Sequence, residues 1–173
     1  MKTLLLAFLF ALSLSADVLI SPEEALSLAY KDATKIEKRN ILLTNAQAQK
    51  IQEESKVKLS SKIYRIFTAQ KDEKVLGYGI LINETVRSKN AVILYFISSD
   101  SLLKGIEIIA FNEPPEYLPS KIWNAQFQNI QTSKMLRLSK EIPTITGATM
   151  SAKSVTDGSR VAFALYNELL KKE

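Results

Sequence analysis

Between positions 145 and 151 the chain reads Ile-Thr-Gly-Ala-Thr-Met-Ser, a small-residue turn with hydroxyls at Thr146, Thr149 and Ser151 that feeds a helix. A helix start presents backbone N–H groups and the positive end of the macrodipole, a combination that binds phosphate. Gly147 and Ala148 let a bulky group approach the backbone, as a phosphate ester on a neighbouring hydroxyl requires. The N–H groups of Met150, Ser151 and the two residues after them are the candidate donors, and the Lys153 ammonium is a candidate ion partner. A plainer reading stays open on these residues alone: Thr149 or Ser151 caps the helix, and Lys153 is a solvated helix residue.

Composition removes most other chemistries. Of 173 residues none is His and none is Cys. That excludes His-ligated haem, cysteine-held iron–sulfur clusters and Cys/His zinc sites, together with Ser-His-Asp and Cys-His nucleophiles. No metal is expected, and electron transfer by this chain would require an organic cofactor. The net charge of +5 comes from 23 basic and 18 acidic residues scattered along the sequence, with no basic stripe, so nucleic acid is not an expected partner. At 46% hydrophobic and 24% charged, the chain is long and apolar enough for one globular domain.

The elements that must position the 145–151 turn follow from periodicity. Ser21-Pro22-Glu23-Glu24 is a capping box with proline at the first helical position, and Ala25, Leu28, Ala29 and Ile36 predict a helix from 22 to about 36. Thr44-Asn45-Ala46-Gln47 repeats the box and opens a polar surface helix to about 55. Short β-branched and aromatic runs follow at 63–67, 75–82, 92–97 and 106–111, joined by compact polar turns, which predicts an antiparallel meander. The run 92–97 is apolar on both faces and should be central. Gly77 and Gly79 flank Tyr78 within a strand, which marks a bulge or a close approach. Glu113 to Pro119 carries three prolines and must be a rigid loop. A short helix near 120–127 would present Ile122, Trp123 and Phe127, and a last helix runs from about Ser151 to Lys171. The expected fold is α+β: an antiparallel sheet meander with N-terminal helices and a C-terminal helix packed on it.

Residues 1–16 pair a basic start with the apolar run 4–12 and small Ser13, Ser15 and Ala16. This pattern predicts a cleavable signal peptide over 1–15, with the domain at 16–173 working in the periplasm or otherwise exported; an uncleaved N-terminal membrane anchor is the alternative. The apolar run is shorter than the roughly 20 residues of a spanning helix.

Thr146-Gly147-Ala148-Thr149 resembles the Ser/Thr-Gly-Ala-Thr flavinylation motif of the FMN-binding domain family, whose members include subunits of the sodium-translocating NADH:quinone reductase and of the Rnf complex. The motif's place, after a meander and before a C-terminal helix, also fits, as do Leu42-Leu43-Thr44, Gly77-Tyr78-Gly79 and Glu113-Pro114. The resemblance covers roughly 22 to 170 and implies FMN as cofactor, linked through its phosphate to Thr149 by a flavin transferase. Thr146, Gly147, Ala148, Met150, Ser151, Lys153 and Glu113 are the implied surrounding residues, and Tyr117, Trp123 and Phe127 the aromatics that either pack near a flavin or belong to the core. The implied activity is that of an exported electron carrier, not of an enzyme with its own substrate. Its partners would be redox proteins, such as a membrane electron-transport complex. Two positions depart from the family pattern. Pro143 stands where an acidic residue six before the acceptor is usual, with Glu141 the nearest carboxylate, and Phe111-Asn112-Glu113-Pro114 retains only Glu113 of a His-x-Glu-Thr segment. Those departures keep a second reading in view, a non-redox exported binding or adaptor domain on the same fold.

Overall fold

The computed structural model describes residues 19–171, so the segment read as a signal peptide lies outside the described residues. Six strands form one antiparallel sheet in sequence order: β1 (Lys35–Leu42), β2 (Ile63–Lys71), β3 (Lys74–Thr85), β4 (Asn90–Ser98), β5 (Leu102–Phe111) and the two-residue β6 (Ile130–Gln131). Helix α1 (Pro22–Ala29) packs on one face; α2 (Asn45–Ser55) and α4 (Thr149–Leu165) pack on the other, while α3 is the single turn Lys121–Asn124. The α+β meander with helices at both ends is therefore what the chain builds. Among the described residues no helix is long and apolar enough to cross a membrane.

Strand β4 runs through the middle because both its faces are apolar. Ile93, Tyr95 and Ile97 enter the larger core under α2 and α4, and Leu94 and Phe96 enter the smaller core under α1. Helix α2 starts at the expected capping box, with Gln47 N–H donating to Thr44 Oγ1 at 3.2 Å and Thr44 N–H to Gln47 Oε1 at 2.9 Å. It is less superficial than its polar sequence suggests, since Ala48, Ile51 and Ser55 are buried.

The first helix is shorter than expected. It begins as read, with Ser21 capping and Pro22 following, but ends at Ala29, and Ile36 belongs to strand β1. Tyr30 stops it: its hydroxyl donates to the carbonyls of Ile97 (2.9 Å) and Tyr78 (3.2 Å), which pins the helix end to the sheet. Strand β1 is a charged edge (Lys-Ile-Glu-Lys-Arg-Asn-Ile-Leu) exposed on most positions, a composition that blocks edge-to-edge pairing and hides the strand from a hydrophobic pattern. The bulge anticipated near Gly77 lies there, where Gly77 opposes Ala69 and Val75 opposes Gln70 so that Leu76 is the extra residue.

Candidate functional site

The turn before α4 is held from both sides. Upstream, Ile142 is buried in the main core, and Trp123 Nε1–H donates to the Pro143 carbonyl at 3.0 Å. Trp123 in turn lies against Phe127, ring centroids 5.2 Å apart, and Phe127 is fully buried. Downstream, Ala148, Ser151 and Ala152 are buried, and Ser154 Oγ donates to the Thr85 carbonyl at 3.4 Å, which seats the first turns of α4 on the end of β3. Thr146, Gly147, Thr149, Met150 and Lys153 are left exposed.

Helix α4 begins at Thr149, two residues earlier than expected. Its N-cap is Ala148, and no side chain caps it, whereas Ser21, Thr44 and Ser120 cap α1, α2 and α3. The first bond of its ladder runs from Ala152 N–H to the Ala148 carbonyl at 3.1 Å, so the N–H groups of Thr149, Met150 and Ser151 precede the ladder. Neither Thr149 nor Ser151 acts as the cap. The Thr149 hydroxyl makes only a long contact, 3.4 Å, to the Ile145 carbonyl. Gly147 sits at φ +81°, and nothing lies within 4 Å of where its Cβ would be, so glycine here serves the backbone turn and leaves open space beside it.

These features fit a phosphate ester on Thr149. The hydroxyl is exposed, three N–H donors precede the helical ladder beside it, and the dipole favours an anion. The Ser151 side chain is buried, so only its N–H is available to a group at the helix start. Lys153 is engaged in an i,i+4 ion pair with Asp157, which also pairs with Arg160. Its ammonium carries three donors, so the pair still leaves it able to face an anion.

Glu113 has a structural task at the same end of the sheet. Its Oε1 accepts from the N–H groups of Arg87 (2.9 Å), Ser88 (2.7 Å) and Lys89 (2.9 Å), holding the turn between β3 and β4. Those backbone donors hold its pKa below the ordinary carboxylate value. The Arg87 guanidinium lies 5.2 Å from the centre of the Tyr117 ring, so Tyr117 packs on this turn. Glu141 is locked to Arg137, whose Nη2 and Nε donate to it at 2.6 and 3.1 Å, and that partner holds its carboxyl down to about 2.

One group that the sequence does not single out is Glu84. It projects from β3 toward Lys153 and Asp157, and burial first, then the Asp157 charge, raise its pKa to about 7, with Lys153 opposing. The i,i+4 and i,i+3 spacing of Lys153, Asp157 and Arg160 was a visible signal for the helix half of this cluster. The folded protein holds the Glu84 proton more tightly than the unfolded chain does. Its contribution to stability is therefore complete below the ordinary 4.5 and lost as pH rises through about 7. Glu84→Gln should match the parent near pH 4 and be more stable at pH 8, by about 2 kcal/mol once partial solvent exposure is discounted. Urea unfolding at the two pH values measures this; equal stabilities at pH 8 would remove the charge penalty assigned here.

The sequence model of a family described as "FMN-binding domain" matches residues 26–164, from within α1 almost to the end of α4. The chain is also similar to one of the subunits of the Na(+)-translocating ferredoxin:NAD(+) oxidoreductase complex of Acetobacterium woodii, at 29% identity over 134 residues. That alignment takes in 71% of this chain and 65% of the relative, just under two thirds of the relative's length.

Proposed function

The chain belongs to the FMN-binding domain family, with FMN as its cofactor, and from that premise we propose that it is an exported electron-transfer module whose FMN is esterified to Thr149. The observation that carries the reading is the start of α4. An exposed hydroxyl stands at its first residue, and no side chain occupies the cap.

Bound flavin supplies one- or two-electron transfer. The chain's own work is to hold it. The N–H groups of Thr149, Met150 and Ser151 would hold the phosphate, and Gly147 leaves the approach clear. Ala148, Ser151 and Ala152 fix the helix start against the core, and Lys153 balances the anion's charge. Trp123, through Pro143, fixes the strand of chain leading into the turn. Tethering suits a compartment outside the cytoplasm, where a dissociated cofactor would be diluted away. Redox proteins would deliver and accept the electrons, and the similarity to a component of an oxidoreductase complex supports a membrane electron-transport complex as the setting. A flavin transferase would install the cofactor. Residues 1–15 would act as the export signal, with 16–173 as the working domain.

Glu141 bears on maturation. It is the carboxylate nearest the position that Pro143 fills, and Arg137 already occupies it. The test is a visible spectrum and an intact mass on protein purified from its own cells. The expected result is a flavin absorbance that survives denaturation, with a mass above the polypeptide by one FMN less one water. Colourless protein of plain polypeptide mass would overturn the carrier reading.

A further inference from the structure

Trp123 stands on the single turn α3 and is fixed there through its own backbone: its N–H donates to Ser120 Oγ at 3.2 Å, and its carbonyl accepts from Gln126 Nε2 at 2.8 Å. Its ring rests on the fully buried Phe127. From that platform the indole N–H reaches 20 residues along the chain to the Pro143 carbonyl, 3.0 Å away. The indole is half-buried and Pro143 is exposed, so water could satisfy both groups, and burial does not force this bond. Its effect falls on the turn. Residues 143–147 run between buried Ile142 and buried Ala148, and apart from half-buried Ile145 they are exposed. Among the described residues, Trp123 supplies the hydrogen bond that ties this segment to another part of the molecule, since the contacts of the Ala148 N–H and the Thr149 hydroxyl with the Ile145 carbonyl lie within the turn itself. Gly147, at φ +81° with open space beside it, adds no restraint.

We propose that Trp123 is the positioning residue for cofactor attachment: by holding Pro143 it keeps residues 143–147 in the arrangement that presents the Thr149 hydroxyl to a flavin transferase. The inference rests on Thr149 as the acceptor and concerns how that hydroxyl is delivered. The restraint acts at short range, because two residues beyond Pro143 the Ile145 carbonyl meets the Thr149 hydroxyl at 3.4 Å. Attachment forms a bond from Thr149 Oγ to the phosphorus of the FMN unit. An alcohol and a phosphate monoester do not condense unaided in water, so the donor is a flavin dinucleotide. Its P–O–P bridge breaks, the other nucleoside monophosphate leaves, and the hydroxyl proton passes to solvent. Oγ must approach that phosphorus in line with the bond that breaks, and a misplacement of about 1 Å costs on the order of a hundred-fold in rate. A turn left loose at 143–147 therefore loads slowly even when the rest of the domain is intact.

The test compares Trp123→Phe with Thr44→Ala, which breaks the capping box of α2 and so weakens the fold away from this turn. Phenylalanine keeps a ring against Phe127 and removes the indole donor, and the side chain it replaces is only half-buried, so the fold survives. Two quantities are measured. One is the time course of the FMN mass increment when the full domain is incubated with a flavin transferase and flavin dinucleotide. The other, in cofactor-free protein, is the 15N order parameter of the amides of 144–147. Trp123→Phe is expected to load at least about ten-fold more slowly than the parent. Its order parameters at 144–147 should fall from about 0.85 to below about 0.6, while Thr44→Ala leaves both quantities at parent values. Loading of Trp123→Phe at the parent rate, unchanged order parameters, or an equal loss in Thr44→Ala overturns the proposal. A parent protein that itself takes up no flavin overturns the Thr149 acceptor reading, and this inference with it.

Discussion

On the proposed ester, Thr149→Ala should yield protein of plain polypeptide mass that loses all flavin on denaturation, while Thr149→Ser should keep a covalently bound cofactor. Only a hydroxyl at this position can form the ester, so the expected loss is complete. The stability of the cofactor-free protein separates this role from a structural one. A threonine that caps a helix costs about 1 kcal/mol when replaced by alanine, as Thr44 should, since it makes both bonds of its capping box. Thr149 is the first helical residue, its hydroxyl makes only a 3.4 Å contact, and alanine is the better helix former, so Thr149→Ala should change unfolding free energy by less than about 0.5 kcal/mol. A large destabilisation with flavin retained would mean that the hydroxyl serves the turn. Thr146→Ala is the companion control: that hydroxyl is also exposed, and its loss should leave the mass of the loaded protein one FMN less one water above the polypeptide.

The parts legible in the sequence are those where local pattern and tertiary demand coincide. Strands β2 to β5 alternate or are apolar throughout, and their turns are short and polar, so the meander could be read directly. The capping box at Thr44 and the doubly buried β4 are of the same kind. Strand β1 was not legible because an edge strand dense in Lys, Glu and Arg has no apolar face to betray it. Ile36 looked like the next apolar position of a helix, but what ends α1 is a hydroxyl reaching carbonyls 48 and 67 residues away, and no local signal reports such a bond. The site divides in the same way. The Thr-Gly-Ala-Thr turn and its hydroxyls are local and were visible. The commitment of Glu113 to the β3–β4 turn, of Glu141 to Arg137 and of Trp123 to the Pro143 carbonyl depends on how loops meet. Glu84 gained its raised pKa only when β3 and α4 packed together.

Gly77→Ala should cost about 3 to 4 kcal/mol, lowering the melting temperature by roughly 10 °C in a domain of this size. A Cβ there would stand 2.6 Å from the Ile97 carbonyl oxygen, part of the central strand's backbone, and 2.5 Å from the Tyr30 hydroxyl. Two penalties therefore act together. The sheet must open between β3 and β4, and the hydroxyl that pins α1 must leave the carbonyls it bonds. Removing that hydroxyl with Tyr30→Phe would not rescue the variant, because the Ile97 carbonyl still occupies the space. Gly105→Ala on strand β5, across β4 from Gly77, is the contrast: its nearest neighbour would be a Phe96 ring atom at 3.9 Å, an ordinary contact. That substitution should be neutral or stabilise by up to about 1 kcal/mol, since alanine narrows the unfolded ensemble. Thermal and urea unfolding of the two variants side by side decides the matter. Equal behaviour would mean that α1 does not press on β3 at Gly77, and that this glycine answers only to the bulge at Leu76.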